Sequence, residues 1–235
     1  MIPALDKARI NHDLLLFVPY REMTGQVPMD RAKPHHPLTG HNLTWASGGV
    51  MTPSNIPTCV FDGGTSYIDS PAADTADLNF TTGDYSIGLW FSYQVTGVSQ
   101  ILIGRYGIDL DGWELYVYDV NGTLNLRHSH SSLAPTHTGC YSVGWPTSQW
   151  HFAGISRSGA YPLHYRNGAP VEMAYDVGGL SDPDTCNRDL VIGVRYTKNA
   201  TWYSGYQALL RVWGRALEEW EFKQIWEMER HWFGV

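Results

Sequence analysis

Cysteine is scarce. Three residues in 235, Cys59, Cys140 and Cys186, make an odd, low count that excludes a disulfide-stapled scaffold as the source of stability. Cys140 and Cys186 both fall in polar, loop-like sequence and form the one pairing worth weighing, with reduced thiols the preferred expectation. Charge is sparse as well: Asp, Glu, Lys and Arg make up 17% of the chain, against about 25% in a typical domain. Lys plus Arg number 16 and Asp plus Glu 23, a net charge of -7. A surface of that sign has no hold on a phosphate backbone, which excludes non-specific nucleic-acid binding. The apolar run Leu14-Leu15-Leu16-Phe17-Val18 is far shorter than the roughly 20 residues a bilayer requires. Residues 1–7 lack the basic stretch, apolar core and cleavage site of a signal peptide, so synthesis in the cytosol is expected. Gly-x-Ser-x-Gly elbows, glycine-rich phosphate loops and Cys-x-x-Cys pairs are missing too, and no enzyme is expected.

What the chain has instead is aromatic mass and backbone punctuation. Aromatics reach 13%, with 10 Trp and 14 Tyr, and 24 Gly and 13 Pro divide the sequence into short runs rich in Val, Ile, Tyr, Phe and Trp. Such runs between turn formers predict many strands and few helices, hence an all-β sandwich or barrel. A length of 235 residues suits one such domain, residues 1–235, with no repeat or composition break to divide it. Strands are predicted at 13–19, 59–61, 66–68, 85–93, 100–103, 113–118, 123–127, 150–156, 163–166, 189–192 and 206–213. Within 113–118, alternation puts Trp113, Leu115 and Val117 on one face and Glu114, Tyr116 and Tyr118 on the other. Asn121-Gly122 and Asn167-Gly168 read as hairpin turns, because both residue types accept positive φ. From Leu217 the period changes. Leu217, Trp220, Ile225, Met228 and Trp232 recur at helical spacings behind a Glu-rich first turn, predicting an amphipathic helix over 216–233 that closes one end of the sandwich. Residues 21–57 form a long N-terminal excursion with only 42–45 as a candidate strand; loops of that length are usually functional or folded on something else.

The order of motifs narrows the fold. Asp13 to Tyr20 forms an opening strand ending in an aromatic phrase, followed by Thr24-Gly25 and Asp30. Phe61-Asp62-Gly63-Gly64, then Gly83-Asp84-Tyr85 through Phe91, Gly112-Trp113-Glu114, Gln149-Trp150-His151-Phe152, Tyr165-Arg166-Asn167-Gly168 and Ile192-Gly193 come next. Gly205-Tyr206 through Trp213 to Glu219 ends the series. These motifs, in this order along nearly the whole length, resemble the laminin-G-like, concanavalin A-like lectin/glucanase jelly-roll family. The resemblance implies a jelly-roll sandwich of two antiparallel sheets with a short C-terminal helix. It also implies a stand-alone form like the virion structural proteins of tailed bacteriophages: a capsid decoration or cement protein, or one associated with tail or fibre, on the virion surface after assembly in the host cytoplasm. Its partners would be other virion proteins such as the major capsid protein, further copies of itself in a homo-oligomer with a trimer favoured, and surface glycans; neither nucleic acid nor a membrane is among them. The alternative is a carbohydrate-binding lectin module at a cell or particle surface, and a glycoside hydrolase stands third. Calcium-binding relatives place an Asp just after the glycine of the final strand, where this chain has Gly205-Tyr206-Gln207-Ala208-Leu209. A hard cation then loses an oxygen ligand, so Asp62 is read as a turn residue and only a weak calcium candidate, and no cofactor is expected.

Individual residues are weighed against ordinary structural roles. Glycosidases of this fold carry paired carboxylates on one strand; the nearest match, Asp109-Leu110-Asp111-Gly112-Trp113-Glu114, is broken by a glycine and reads as a solvated loop, leaving no catalytic candidate. His128 and His130 with His137 nearby, and His35-His36 with His41, lack the spacing and partners of a zinc site. Sequons at Asn42, Asn79, Asn121 and Asn199 are read as turns or chance occurrences. Sugar rings and protein partners both favour aromatic anchors, which makes Tyr141, Trp145, Tyr161, Tyr196 and Trp202, all in loop-like sequence, the glycan or partner contact candidates. Trp226, Trp232 and Phe233 on the predicted helix are the oligomer contact candidates, with helix docking as their ordinary role.

Overall fold

The structure is a computed structural model describing residues 9–22, 24–45, 54–131, 134–176 and 178–235. Among the described residues sixteen strands follow one another: β1 Leu14–Val18, β2 Thr39–His41, β3 Thr44–Trp45, β4 Cys59–Asp62, β5 Tyr67–Ser70, β6 Tyr85–Tyr93, β7 Ser99–Gly107, β8 Asp111–Tyr118, β9 Thr123–Ser129, β10 His137–Ser142, β11 His151–Arg157, β12 Leu163–Arg166, β13 Ala169–Pro170, β14 Met173–Tyr175, β15 Leu190–Ile192 and β16 Ser204–Trp213. A 3-10 segment, Ala72–Leu78, separates β5 from β6, and helix α1, Glu219–Phe233, ends the chain. Every predicted strand is present. Strands β2, β10, β13 and β14 lie outside the predicted ranges: they are short or mixed in polarity, and are held by cross-strand partners rather than by their own pattern.

The strands form two antiparallel sheets. The first runs β13-β12-β11-β6-β16-β4-β3, with β1 beside β16; the second runs β14-β10-β9-β8-β7-β15-β5-β2. Their inner faces meet in a core that includes Leu16, Val18, Ile87, Leu89, Phe91, Ile103, Trp113, Leu115, Val117, Leu126 and Ile192. Trp113, Leu115 and Val117 point inwards as their alternation requires, since successive side chains of a strand project to opposite faces. The two Asn-Gly turns differ. Asn167 and Gly168 both take positive φ, 52° and 77°, so β12 and β13 are joined by a tight two-residue turn; between β8 and β9 only Gly122 does (59°), within a longer loop.

Helix α1 corrects one expectation: it lies on the outward face of the first sheet and does not close an end of the sandwich. Its second core gathers Trp90, Phe152, Tyr165, Trp213, Phe222, Ile225 and Phe233. Phe233 stacks on Trp90 at 3.9 Å and Phe222 on Tyr165 at 4.6 Å. Gly154 leaves the space Phe222 fills. Trp90 Nε1 donates to Glu229 (2.8 Å), which Arg211 neutralises (2.5 Å). The helix start is closed by Glu221, whose carboxylate accepts from the Glu218 N–H (2.9 Å) and pairs with Arg215 (2.7 Å). Strand β6 is therefore buried on both faces.

The described part of residues 21–57 folds onto its own domain. Leu38, Leu43 and Trp45 are buried in the main core. Asp30 accepts from the backbone of Phe17, Ala32 and His36. The His36 ring bridges Asp30 (2.7 Å) and Asp77 (2.9 Å). Residues 23 and 46–53 of this stretch lie outside the described residues.

Candidate functional site

Among the described residues no helix covers the outward face of the second sheet, and strand register fixes what it displays. One row crosses the sheet as Gly139, Arg127, Glu114, Gly104, Val191, Asp69 and Thr39. A neighbouring row carries Ala174, Tyr141, Asn125 and Tyr116. The next begins with Tyr118 opposite Thr123.

The middle of this face is closed by its own charges. Glu114 is buried between Arg127, with which it forms an ion pair, and Arg195 at 3.7 Å. The Arg127 guanidinium lies between the rings of Tyr106 and Tyr116, at 4.9 and 5.0 Å. Burial pushes the Glu114 carboxyl up against the pull of both arginines. The far end is closed likewise: Lys198 joins Asp69 (2.6 Å) to Asp189 (3.1 Å), and His41 bonds Asp69 (3.1 Å) while stacked on Tyr67 at 4.1 Å.

At the remaining corner Tyr118, Asn121, Thr123, Asn125 and Tyr141 line a hollow of about 280 Å³. Tyr118 is 37% exposed and Tyr141 41%. Both offer ring surface beside amide and hydroxyl groups, with no charged side chain in the lining. The Asn125 amide is steadied by Thr123 through its carbonyl (3.2 Å) and hydroxyl (3.0 Å). Aromatic faces with a few fixed polar groups hold small polar ligands by stacking and directed hydrogen bonds. A larger hollow of about 860 Å³ lies on the other side of the molecule, floored by Ile10, Leu14, Phe17, Ile225 and Met228. It is walled by residues 10–14 and 31–33.

The predicted contact residues do not converge. Tyr141 lines the hollow, on strand β10 rather than in a loop. Trp145 is buried, its Nε1 bonded to Ser142 (2.9 Å) and its ring near Phe91, because the loop after β10 turns it into the core; it offers no contact surface. Tyr161, 61% exposed, meets Tyr175 edge-on at another end of the sandwich. Tyr196 lies under Arg188 at 4.7 Å, and Trp202 meets Tyr67 edge-on. Phe233, at the end of α1, is buried against Trp90 of the first sheet, which is its ordinary docking role. Trp226 and Trp232 are half-buried beside it. Tyr118 lines the hollow without being among the predicted contacts, although the alternation of 113–118 places it on the outward face.

Other candidates resolve as structure. Asp62 accepts from the N–H groups of Gly64, Thr65 and Ser66 and from the Thr65 and Ser66 hydroxyls. Its burial is outweighed by these bonds, which hold the carboxyl well below the usual range, as a turn residue requires. Among the described residues no group of three or more His, Cys, Asp or Glu is arranged to hold a metal. Asp109 bonds Thr136 and His137, Asp111 pairs with Arg188, and Glu114 with its arginines. Each carboxylate has its own partner rather than sharing a reaction centre. His128 and His130 are buried, while His137 faces outwards opposite Ser129. Cys140 Sγ lies 3.8 Å from His164 Nε2 in the core, and Cys186 is buried elsewhere, beside Gly112 and Arg105. Burial lifts the Cys140 thiol to about 12 and lowers His164 to about 3, so both stay neutral and the pair has no nucleophilic thiolate.

Residues 62–221 match the family model of the concanavalin A-like lectin/glucanases superfamily. No curated protein matches the chain in a sequence comparison. Similar solved structures include the botulinum neurotoxin serotype D binding domain (11% identity, TM-score 0.71, 95% of this chain and 53% of that one). The receptor binding domain of the botulinum neurotoxin C/D mosaic serotype is similar over 93% of this chain and 52% of that one (10% identity, TM-score 0.69). The binding domain of Paraclostridial Mosquitocidal Protein 1 is similar over 93% and 53% (13% identity, TM-score 0.69). The chain thus spans about half the length of these binding domains, and the likeness is one of fold.

Proposed function

The chain belongs to the concanavalin A-like lectin/glucanase superfamily, and from that premise we propose that it is a non-enzymatic carbohydrate-binding module holding a short, uncharged glycan at the corner of its second sheet. One observation carries the reading: Tyr118 and Tyr141 stand half-exposed around a 280 Å³ hollow whose other walls are Asn121, Thr123 and Asn125. The hollow lies just below the roughly 300–1,000 Å³ of small-molecule sites, which suits one or two sugar rings. A structure of botulinum neurotoxin type C, whose cell entry depends on interaction with two ganglioside molecules, shares the fold over 52% of its chain. That supports glycan recognition by this architecture.

Calorimetric titration with a panel of neutral oligosaccharides tests the reading. Binding is expected, and Tyr141→Ala should weaken it by about tenfold, the worth of one aromatic contact of about 1 kcal/mol or slightly more. No heat from any neutral sugar at millimolar concentration, or binding indifferent to Tyr141→Ala, overturns it. Display on a tailed-phage virion, as a decoration or tail-associated protein, is a finer proposal that rests on the sequence resemblance. Sedimentation of the protein with particles tests it, and failure to bind particles counts against it.

A further inference from the structure

Three loops meet at the end of the sandwich beside the hollow: 94–98 between β6 and β7, 119–122 between β8 and β9, and 143–150 after β10. Hydrogen bonds tie them into one surface. Asp119 accepts from the Thr96 N–H and hydroxyl, the Gly97 N–H (3.0 Å) and the Gln100 amide (2.8 Å). Ser148 N donates to Tyr93 O (2.9 Å), and Trp145 N to Gly122 O (3.1 Å). Four valines stand out from these loops, Val95 at 65% exposure, Val98 at 50%, Val120 at 58% and Val143 at 54%, with Tyr118 and Tyr141 at their side. The stretches 94–100, 118–123 and 142–149 contain a single charged residue, Asp119, and it is buried. The border cation Arg166 is engaged by Gly144 O and the Trp145 ring.

We propose that this charge-free tip is a self-association surface, occupied by the same tip of a second copy of the chain. Exposed apolar side chains gathered without charge mark contact surfaces. The choice of partner follows from electrostatics: copies of a chain carrying -7 repel each other, and at this tip they meet without opposing like charges. A bilayer is the weaker occupant. Membrane-docking surfaces combine Trp, Phe or Leu with Lys and Arg, whereas the exposed apolar residues at this tip are mainly valines and its three stretches contain no Lys or Arg. Like-to-like contact through one patch closes into a small symmetric oligomer. The surface shares Tyr118 and Asn121 with the hollow, so a sugar and a second copy exclude each other.

Sedimentation of the full chain, without sugar, from micromolar to near-millimolar concentration is the test. The average mass is expected to rise reversibly above the monomer and to persist in high salt, because the contact is apolar. Val120→Asp and, separately, Val98→Asp should each move the association midpoint up by at least about tenfold, since like charges would then face each other. Both residues are exposed, and an unchanged circular dichroism spectrum and Tm verify the fold. Mixing Val120→Asp with Val120→Lys protein should restore association. A chain that stays monomeric throughout, or association that neither variant weakens, overturns the proposal. So does a monomer that binds phosphatidylcholine vesicles and loses them on Val120→Asp, which assigns the tip to lipid.

Discussion

Raising the pH should destabilise the protein around residues 30–36, because an imidazolium buried between two carboxylates helps to hold them. The His36 side chain is 1% exposed between Asp30 and Asp77. Burial alone would lower its pKa, but its hydrogen bonds to the two carboxylates outweigh that and raise it from 6.5 to about 9. A folded-state pKa above the unfolded one contributes stability that is fully present below about 6.5 and is lost as pH rises through about 9. At about 1.4 kcal/mol per unit the lift corresponds to roughly 3 kcal/mol. Asp77 is 38% exposed, so its share is screened and about 2 kcal/mol is the working figure. Urea denaturation of the wild type and of His36→Gln at about pH 6 and about pH 10 measures it. The wild type should be more stable than the variant by about 2 kcal/mol at the lower pH, and most of that difference should vanish at the higher. Equal pH slopes for the two proteins, or a His36 ring resonance titrating near 6.5, would refute the reasoning. On the acid side, burial raises the Asp30 carboxyl less than His36 and three backbone N–H groups lower it. Its contribution is therefore present above the ordinary carboxylate range and is lost as pH falls.

Other outcomes are equally specific. Gly154→Ala puts a methyl group inside contact distance of the Phe222 ring and should destabilise the protein by about 1–3 kcal/mol in a denaturant titration; a neutral result would mean that α1 is not seated on β11. Phe222→Ala should cost about 3–5 kcal/mol in the same assay. All three thiols are buried, with Cys140 at about 12 and Cys186 at about 11 because burial disfavours their thiolates. A thiol reagent followed by mass spectrometry should therefore label none of them until the chain unfolds, and fast labelling of the native protein would contradict the packing around Cys140 and Cys186.

How much was legible follows from the range of each signal. Trp113, Leu115 and Val117 alternate with Glu114, Tyr116 and Tyr118, and that local pattern already separates an inner from an outer face. Asn167-Gly168 specifies a tight turn from two residues, and the Glu-rich start and three-to-five spacing of α1 specify a helix from sixteen. These properties are set by neighbours in the chain, so composition and period determined a sandwich of short strands with one amphipathic helix. The hollow depends on register instead. Tyr118, Asn125 and Tyr141 become neighbours only because β8, β9 and β10 pair in one alignment, and no local pattern sets that alignment for β10. Trp145 illustrates the converse: its flanking Gly144 and Pro146 give loop-like sequence, yet the chain turns its ring into the core where Ser142 meets its N–H. The face that α1 covers, the bridging of Asp30 and Asp77 by His36, and the gathering of four valines at one charge-free tip all join residues far apart in sequence. Burial and hydrogen bonding between them are properties of the packed chain, which is why the tertiary structure alone decided them.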